Sequence, residues 1–197
     1  MRKIGITGGI GSGKTEIINY IREHHNARVI VADQVAHNLE APGQECYQKL
    51  LDAFGIEILD KDGRIDKKSF AEVIFMDNRY LQMANEIIHP AVKNYILEAI
   101  REEEKKKTPF FILEAALLIE EGYMSIMDEI WYIYADESIR RARLKESRGY
   151  SDEKIDSIMM NQMSEDEFRM NCEKIITNNT SVEDVKKLID EALGEQR

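Results

Sequence analysis

Residues 3–18 read Lys-Ile-Gly-Ile-Thr-Gly-Gly-Ile-Gly-Ser-Gly-Lys-Thr-Glu-Ile-Ile, and the segment from Gly8 to Thr15 matches the pattern G-x-x-x-x-G-K-[ST] of a phosphate-binding loop. Glycines let the backbone take positive φ and approach a phosphate group closely, so that several N–H groups converge on it. In this pattern Lys14 reaches the β- and γ-phosphates, and the hydroxyl group of Thr15 reaches Mg²⁺. The predicted nucleotide-binding residues of the loop are Gly9, Ile10, Gly11, Ser12, Gly13, Lys14 and Thr15.

The segments on both sides of the loop fit this interpretation, because such a loop joins a strand to a helix. Ile4 and Ile6 belong to a short apolar run typical of a buried strand, and the isoleucines at positions 17, 18 and 21 recur at helical spacing. The alternative is a Gly-rich turn that only connects a strand to a helix. The complete motif in this context favours a nucleotide site, with the positive end of the helix facing the bound anion.

The composition is that of a globular protein with one sizeable core. The chain has 197 residues, of which 43% are hydrophobic and 32% are charged, and it contains no apolar run of the ~20 residues that a membrane helix needs. Met1-Arg2-Lys3 leads directly into the predicted strand, so we expect no signal peptide. Cys46 and Cys172 show no metal-type or disulfide spacing. We therefore expect a cytoplasmic protein that binds no membrane.

The distribution of charge argues against a nucleic-acid-binding protein. The formal net charge is −10, whereas a duplex-binding surface needs a broad basic face. Positive charge is nevertheless concentrated in residues 140–148, where Glu146 is the single acid. A small polyanion such as a nucleotide fits this distribution better than DNA does. The basic residues of the segment are Arg140, Arg141, Arg143, Lys145 and Arg148.

Two acidic residues lie at the carboxyl ends of predicted strands, where open parallel sheets bind their ligands. Asp33 follows the predicted strand 28–32, so it is placed either for chemistry on a substrate or as the N-cap of a helix over residues 34–40. Glu114 follows the apolar run from Phe110 and is placed either to hold Mg²⁺, directly or through water, or to end the strand in a cap or ion pair.

Residues 42–107 lack the spacing of strands and predict a helical insertion. Apolar residues recur at helical spacing, and Gly55 follows the first of these segments as a stop signal. We expect His89-Pro90 to end one helix and Pro90 to begin the next, since proline is favoured at the first helical position. Beyond the next strand, Leu117 to Glu121 is interpreted as the start of a helix that Gly122 interrupts.

The rest of the chain predicts further strands over residues 129–134 and 174–177, separated by helices. The basic segment is predicted to be helical, and a loop separates it from a helix that starts at Ser151, with a capping box of Ser164 and Glu167 beyond. Such helices around a basic loop are typical of a mobile lid over phosphates, although an exposed basic surface is the alternative. Ser181 caps a last helix that ends at Gly194. Strands alternating with helices predict a parallel sheet.

Several separated segments together resemble the dephospho-CoA kinase family, whose enzymes perform the last step of coenzyme A synthesis. The resemblance covers nearly the whole chain, and the order and spacing of its short pieces make it specific. These pieces are Thr7 to Thr15, Ala32-Asp33, Pro42-Gly43, His89-Pro90, Leu117-Leu118-Ile119-Glu120, the segment around Arg143, Gln162-Met163 and Ile176-Thr177-Asn178.

The resemblance implies an α/β fold with a three-layer P-loop kinase core and a five-stranded parallel sheet. The core would comprise about residues 1–33, 108–135 and 171–197. A helical substrate-binding insertion for CoA would span about residues 34–107, and a helical lid about residues 136–170. The partners implied are ATP and dephospho-CoA, with Mg²⁺ as cofactor, and we expect a monomer or a weak homo-oligomer.

The resemblance also implies roles for individual residues. Lys14 and the loop amides would hold the ATP phosphates, and Asp33 would orient the attacking ribose 3′-hydroxyl and accept its proton. Arg143 would be the lid arginine closest to the phosphates, with Arg140 as a helper. The remaining implied contacts are Asn178 with the nucleotide, Thr15 with Mg²⁺, Glu114 with Mg²⁺ through water, and His89, Leu117 and Glu120 with the acceptor substrate.

Three positions depart from the family pattern. Glu16 stands where a second Ser or Thr is common, Val31 where the family has Asp, and Ala116 where it has Pro. Val31 leaves Asp33 as the only acid at its strand end. Two other functions stay open at this point: a kinase of a nucleoside monophosphate or another small metabolite, and a GTPase-type switch. The chain lacks the Asn-Lys-x-Asp element that reads guanine, which disfavours the switch.

Overall fold

Five strands form the sheet of this computed structural model, which describes residues 1–194. The strands are β1 (Arg2–Thr7), β2 (Ala27–Val31), β3 (Phe110–Glu114), β4 (Glu129–Tyr134) and β5 (Lys174–Thr177). Their order is β2-β3-β1-β4-β5, and β1 pairs in parallel with β3 and β4, as β4 does with β5. The predicted five-stranded parallel sheet is confirmed. The predicted core includes residues 171–197. Of these, residues 195–197 lie outside the residues that the structure describes.

The described chain forms two compact units. One consists of Met1–Val29 with the chain from Lys106 onward, and the other is Ile30–Lys105. In the first unit the central strands are buried on both faces, as Ile4 and Ile6 of β1 and Trp131 of β4 show with 0% exposure. The sequences of such strands are nearly continuous apolar runs, because helices cover both sides of a parallel sheet.

The helices of the first unit begin and end at the residues that local chemistry favours. Hydroxyl groups of Ser151, Ser164 and Ser181 accept the N-cap hydrogen bonds of three helices, and Ser164 and Glu167 form the predicted capping box. Gly149 and Gly194 follow two helices with positive φ. The helices are α1 (Lys14–His24), α6 (Glu137–Arg148), α7 (Asp152–Met160), α8 (Glu165–Asn171) and α9 (Val182–Leu193).

The second unit is helical and has its own apolar core. Its helices are α2 (Ala32–Leu39), α3 (Glu45–Phe54), α4 (Lys67–Ile74) and α5 (Asn78–Lys106), whose last residue belongs to the first unit. Leu50 and Ile58 are fully buried, and the rings of Phe54 and Phe70 meet edge to face with centroids 5.6 Å apart. Gly55 ends α3 with φ 78°, as the sequence predicts.

The predicted helix break at His89-Pro90 is wrong. Pro90 lies inside α5, which continues for 29 residues. Proline lacks an N–H group and its ring crowds the carbonyl group four residues earlier, which usually ends or kinks a helix. Here buried residues on both sides of the proline, Ala84 before it and Ala91 after it, hold the helix in the apolar core of the unit. Tertiary packing overrides the local signal.

The predicted helix at Leu117–Glu121 is also wrong. These residues form turns, followed by a short 3₁₀ helix over Tyr123–Ile126. The N–H group of Glu121 bonds to the carbonyl oxygen of Leu117, but that of Gly122 bonds only three residues back, to Ile119. Gly122 then takes φ 70°, so no regular helical ladder develops. Within residues 1–194, none of the helices is long and apolar enough to span a membrane.

Candidate nucleotide-binding site

The phosphate-binding loop connects β1 to α1, the connection that its sequence motif requires. Gly8 has φ 149°, and a Cβ atom at this position would come 2.5 Å from the carbonyl oxygen of Ile133 in β4. Gly13 has φ 90°, and a Cβ atom there would overlap the side-chain amide of Asn178. The loop therefore needs glycine at both positions, because its backbone lies directly against neighbouring strands and loops.

The helix α1 begins at Lys14, and its N-cap residue Gly13 makes no side-chain cap. Backbone N–H groups of the first turn, together with the helix dipole, make this end of the helix attractive to anions. The ammonium group of Lys14 donates hydrogen bonds to the carbonyl oxygens of Gly8 at 2.5 Å and Gly9 at 3.2 Å. Thr15 is exposed at the start of the helix. The N-terminal end of α1 and the Lys14 ammonium thus place positive charge at the loop.

Asn178 and Arg143 hold the loop from the opposite side. Asn178 follows β5, is 8% exposed, and donates from its side-chain amide to the carbonyl oxygen of Ser12 at 2.8 Å. Its backbone N–H donates to the carbonyl oxygen of Tyr134 at 2.7 Å, which fixes it to the end of β4. The Arg143 guanidinium donates to the carbonyl oxygens of Asn178 at 3.0 Å and Ser12 at 3.4 Å.

Arg140 also reaches the loop, on its Gly9 side. A Cβ atom on Gly9 would overlap the terminal guanidinium nitrogen Nη1 of Arg140. The Nε atom of Arg140 is buried and has no hydrogen-bond partner within residues 1–194, while Nη2 lies 3.9 Å from the Met159 sulfur. Of the predicted basic cluster, Arg140 and Arg143 therefore touch the phosphate loop.

The other basic residues of the segment serve different contacts. Arg141 pairs with Glu137 of its own helix and with Asp156 of α7, and Lys145 donates to Asp152 at 2.8 Å. Arg148 is exposed, with its guanidinium 5.9 Å from the ring of Tyr150. Arg141 and Lys145 thus link α6 to α7.

A cavity of about 390 Å³ lies beside the loop. Its walls come from the end of β4, from α6, from α7 and α8, and from the segment that joins α7 to α8. The ring of Tyr132 stacks on Phe168 at 4.7 Å, and burial raises the pKa of Tyr132 to about 12, so its phenol is neutral near pH 7. The lining residues are Tyr132, Tyr134, Ala135, Glu137, Arg140, Met159, Gln162, Met163, Ser164, Glu165, Glu167 and Phe168.

Gln162 contacts the loop, and no sequence motif assigns it a role there. Its side-chain oxygen accepts a hydrogen bond from the backbone N–H of Ile10 at 3.0 Å. Gln162 lies just after α7, far from the loop in sequence, and the pair Gln162-Met163 appeared only as a piece of the family resemblance. No spacing rule links it to Ile10, because the contact forms only when the chain folds.

The predicted magnesium ligands lie on two elements, β3 and α1, each of which is next to β1. Glu114 ends β3, is half-buried, and is in register with Ile6 of the adjacent β1, while Thr15 lies at the start of α1. Within residues 1–194 no group of three or more His, Cys, Asp or Glu side chains forms a metal site. Mg²⁺ commonly uses one or two protein ligands together with phosphate oxygens and water, so one hydroxyl and one carboxylate are donors of a suitable kind.

The predicted acceptor residues divide between the two units. Asp33 and His89 belong to the second unit, where Asp33 is exposed in the first turn of α2 and His89 is half-buried in α5. The N-cap of α2 is Val31, so the alternative of Asp33 as helix cap is wrong. Leu117 is 51% exposed and Glu120 is exposed, both in the turns that follow β3 of the first unit.

Comparison with known proteins identifies the family. The family model described as dephospho-CoA kinase matches residues 2–184. A dephospho-CoA kinase of Streptococcus mutans is 35% identical over 190 residues, covering 96% of this chain and 95% of that protein. A crystal structure from Thermus thermophilus superposes with a TM-score of 0.83 at 26% identity, covering 100% of this chain and 98% of that one.

The structure named dephospho-CoA kinase from Campylobacter jejuni has a TM-score of 0.74 and covers 99% of this chain and 97% of that one. At 23% identity it shows a shared fold. The family model and the Streptococcus relative both extend over nearly all of the sequence, including the phosphate loop, Asp33 and the basic helix α6. The chain belongs to the dephospho-CoA kinase family.

Proposed function

We propose that this enzyme transfers the γ-phosphoryl group of ATP to the ribose 3′-hydroxyl of dephospho-CoA, which gives coenzyme A and ADP in the last step of coenzyme A biosynthesis. The observation that carries the proposal is a complete phosphate-binding loop between β1 and α1 in a chain of this family. Phosphoryl transfer depends mainly on positioning and on neutralising negative charge, and this loop supplies both.

On the donor side, residues 9–15 bind the phosphates of ATP through loop amides and the Lys14 ammonium, and Asn178 completes the nucleotide-binding set. Arg143 and Arg140 offset the charge that spreads over the transferring group. Support comes from their position, because both guanidinium groups lie against the loop backbone. A pre-positioned cation stabilises the transition state without further reorganisation.

On the acceptor side, Asp33 is the general base. The 3′-oxygen of dephospho-CoA forms a bond to the γ-phosphorus while the bond from that phosphorus to the β,γ-bridging oxygen breaks. The proton of the hydroxyl passes to the Asp33 carboxylate, and the bridging oxygen leaves with ADP. An exposed carboxylate near the end of a parallel strand suits this role, since it is accessible to a substrate.

When bound, Mg²⁺ would supply positive charge that offsets the charge of the ATP phosphates. The Thr15 hydroxyl and, through water, the Glu114 carboxylate would hold it. Both groups come from elements next to β1, which leads into the loop. The two residues would orient the ion, while the loop amides hold the phosphates.

The remaining parts of the chain receive the acceptor. Residues 34–107 form the CoA-binding region, which includes His89, and residues 136–170 form the lid. Leu117 and Glu120 contact the substrate. The core comprises residues 1–33, 108–135 and 171–197, of which residues 195–197 lie outside the described part of the chain. We place the enzyme in the cytoplasm, as a monomer or a weak homo-oligomer that binds neither nucleic acid nor membrane. Two cysteines outside any disulfide, Cys46 and Cys172, agree with a reducing compartment.

The test is coupled ATP turnover with and without dephospho-CoA. We expect ADP release to depend on dephospho-CoA and on Mg²⁺, with one 3′-phosphate formed for each ADP. AMP, CMP and shikimate serve as competing acceptors, because the fold alone does not fix the substrate. Preference for one of these acceptors, or turnover of ATP without any acceptor, contradicts the proposal.

A further inference from the structure

The N–H group of Ile10 is occupied by a side chain from a distant part of the molecule. The Gln162 oxygen accepts its hydrogen bond at 3.0 Å, in partly buried surroundings. Gln162 also lines the cavity beside the loop. The same side chain lies near Gly9, where its oxygen would be 3.4 Å from a Cβ atom at that position. The contact is therefore made at the first half of the loop, away from α1.

The position of Lys14 indicates which phosphate lies closest to this contact. In loops of this type the backbone amides of the loop hold the α- and β-phosphates, and the lysine reaches the β- and γ-phosphates. The Lys14 ammonium lies on the carbonyl oxygens of Gly8 and Gly9, the two residues directly before Ile10. The γ-phosphoryl group of ATP is therefore expected at the same end of the loop as Gln162.

The chemistry of Gln162 suits a γ-phosphoryl group. Its oxygen is held by Ile10, and its amide nitrogen Nε2, which carries two hydrogens, donates to no protein atom within residues 1–194. The nearby carboxylates are engaged elsewhere, since Glu167 accepts from Ser164 and Glu165 pairs with Arg169. A neutral donor can therefore face the terminal phosphate without a free acid beside it.

We infer that Gln162 is a γ-phosphoryl-binding residue. Ile10 orients its carboxamide. The Nε2 group donates a hydrogen bond to the terminal phosphate of ATP, which ADP lacks. The inference rests on the proposed function and adds to it a residue that distinguishes the substrate nucleotide from the product. Because Gln162 belongs to the segment between α7 and α8, binding of the γ-phosphoryl group also ties that segment to the loop.

The test compares the affinities of the Gln162→Met variant for ADP and for a non-hydrolysable β,γ-imido analogue of ATP. Methionine keeps the length of the side chain and removes both hydrogen-bonding groups. We expect the dissociation constant of the analogue to rise roughly 10- to 100-fold, the usual effect of losing a hydrogen bond to a charged group. The dissociation constant of ADP should stay within about 2-fold, because ADP lacks the γ-phosphoryl group. Gln162→Glu, which introduces a negative charge at position 162, should weaken binding of the analogue further.

The matched control is Asn161→Asp, which introduces the same charge one residue away, where the Asn161 amide bonds to Ser157 and not to the loop. It should bind both nucleotides as the unmodified enzyme does. Equal losses for ADP and the analogue in Gln162→Met would make Gln162 a structural brace, and tighter analogue binding would mean that it competes with ATP for Ile10. Either result overturns the inference. The measurement needs no acceptor, so failure to phosphorylate dephospho-CoA would reject the proposed function separately.

Discussion

Two charged side chains at the phosphate loop, Lys14 and Arg143, donate to its carbonyl oxygens. Lys14 donates to Gly8 and Gly9, and Arg143 donates to Ser12. Because cations engage these oxygens, loop N–H groups other than those of Ile10 and Ser12, which bond within the protein, are left for an anion. This division of the backbone explains how a chain with a net charge of −10 can bind a polyanionic nucleotide.

Asp33 is tested by the substitution Asp33→Asn, which keeps the size of the side chain and removes its basicity. We expect kcat for dephospho-CoA to fall roughly 10²- to 10⁴-fold, the usual contribution of a general base. The affinity for the ATP analogue should not change, since the loop residues that bind it are intact. Stopped-assay kinetics and equilibrium binding measure the two effects.

The control for this test is Asp52→Asn, which changes another exposed acid of the second unit. Its turnover should equal that of the unmodified enzyme. If Asp33→Asn also retained full turnover, Asp33 would have no part in proton transfer.

Among the helices, α6 and α7 are joined by ion pairs whose strength depends on pH. The hydrogen bond from Lys145, assisted by Arg141 at 3.6 Å, lowers the pKa of Asp152 in the folded protein below its ordinary value. A lowered carboxyl pKa contributes stability that is complete above the unfolded pKa of about 4 and is lost as the pH falls through the folded pKa.

The substitution Lys145→Met should therefore lower the Tm near neutral pH, and the difference in Tm from the unmodified protein should shrink as the pH falls below about 4 and through the lowered pKa of Asp152. Thermal unfolding followed by circular dichroism at several pH values measures this difference in Tm. Lys154→Met is the control, because its ammonium group forms no ion pair within residues 1–194. A Tm difference for Lys145→Met that stays constant down to pH 3 would contradict the assigned pairing.

Pro90 offers a second test at the level of one helix. The position is exposed and lies inside α5, where proline removes a backbone hydrogen bond. We expect Pro90→Ala to raise the free energy of unfolding by about 1–3 kcal/mol, measured by urea denaturation. Asn94→Ala, at an exposed position of the same helix, should gain only about 0.5 kcal/mol from helix propensity. An unchanged or lower stability of Pro90→Ala would show that the helix has adapted fully to the proline ring.

The whole molecule has a separate apolar core in each of its two units, and the nucleotide loop and its contacts belong to the first. Leu50, in the core of the second unit, is 0% exposed. Leu50→Ala should lower the free energy of unfolding by about 2–5 kcal/mol, because a buried leucine is replaced by a cavity. Below the unfolding transition, the variant should bind the ATP analogue with unchanged affinity.

The matched control is Leu51→Ala, which changes the next and only partly buried residue of α3. This substitution should lower the free energy of unfolding less, because the surroundings of residue 51 can close around a smaller side chain. Equal losses at the two positions would contradict the assignment of Leu50 to the core. Urea denaturation followed by circular dichroism measures both variants.

The phosphate loop, the strands and most helix ends could be predicted from sequence, because each depends on neighbours in the chain. The glycines and Lys14 act within one loop, and Ser164 and Glu167 cap a helix three residues apart. The same local reasoning failed at Pro90 and at Leu117–Glu121. At Pro90 core packing maintained a helix against its local signal, and at Leu117–Glu121 the hydrogen bonds formed turns where a helix was expected.

By itself, the sequence determined a phosphate-binding α/β protein, because Gly, Lys and Thr at fixed spacing have a chemistry that does not depend on the rest of the chain. Only the tertiary structure decided which side chains support the loop. Among the basic residues 140–148, Arg140 and Arg143 face it while Arg141 pairs with acids of α7. Gln162 reaches Ile10 across 152 residues. Such contacts join segments distant in the chain, so they exist only once the sheet and its helices have formed.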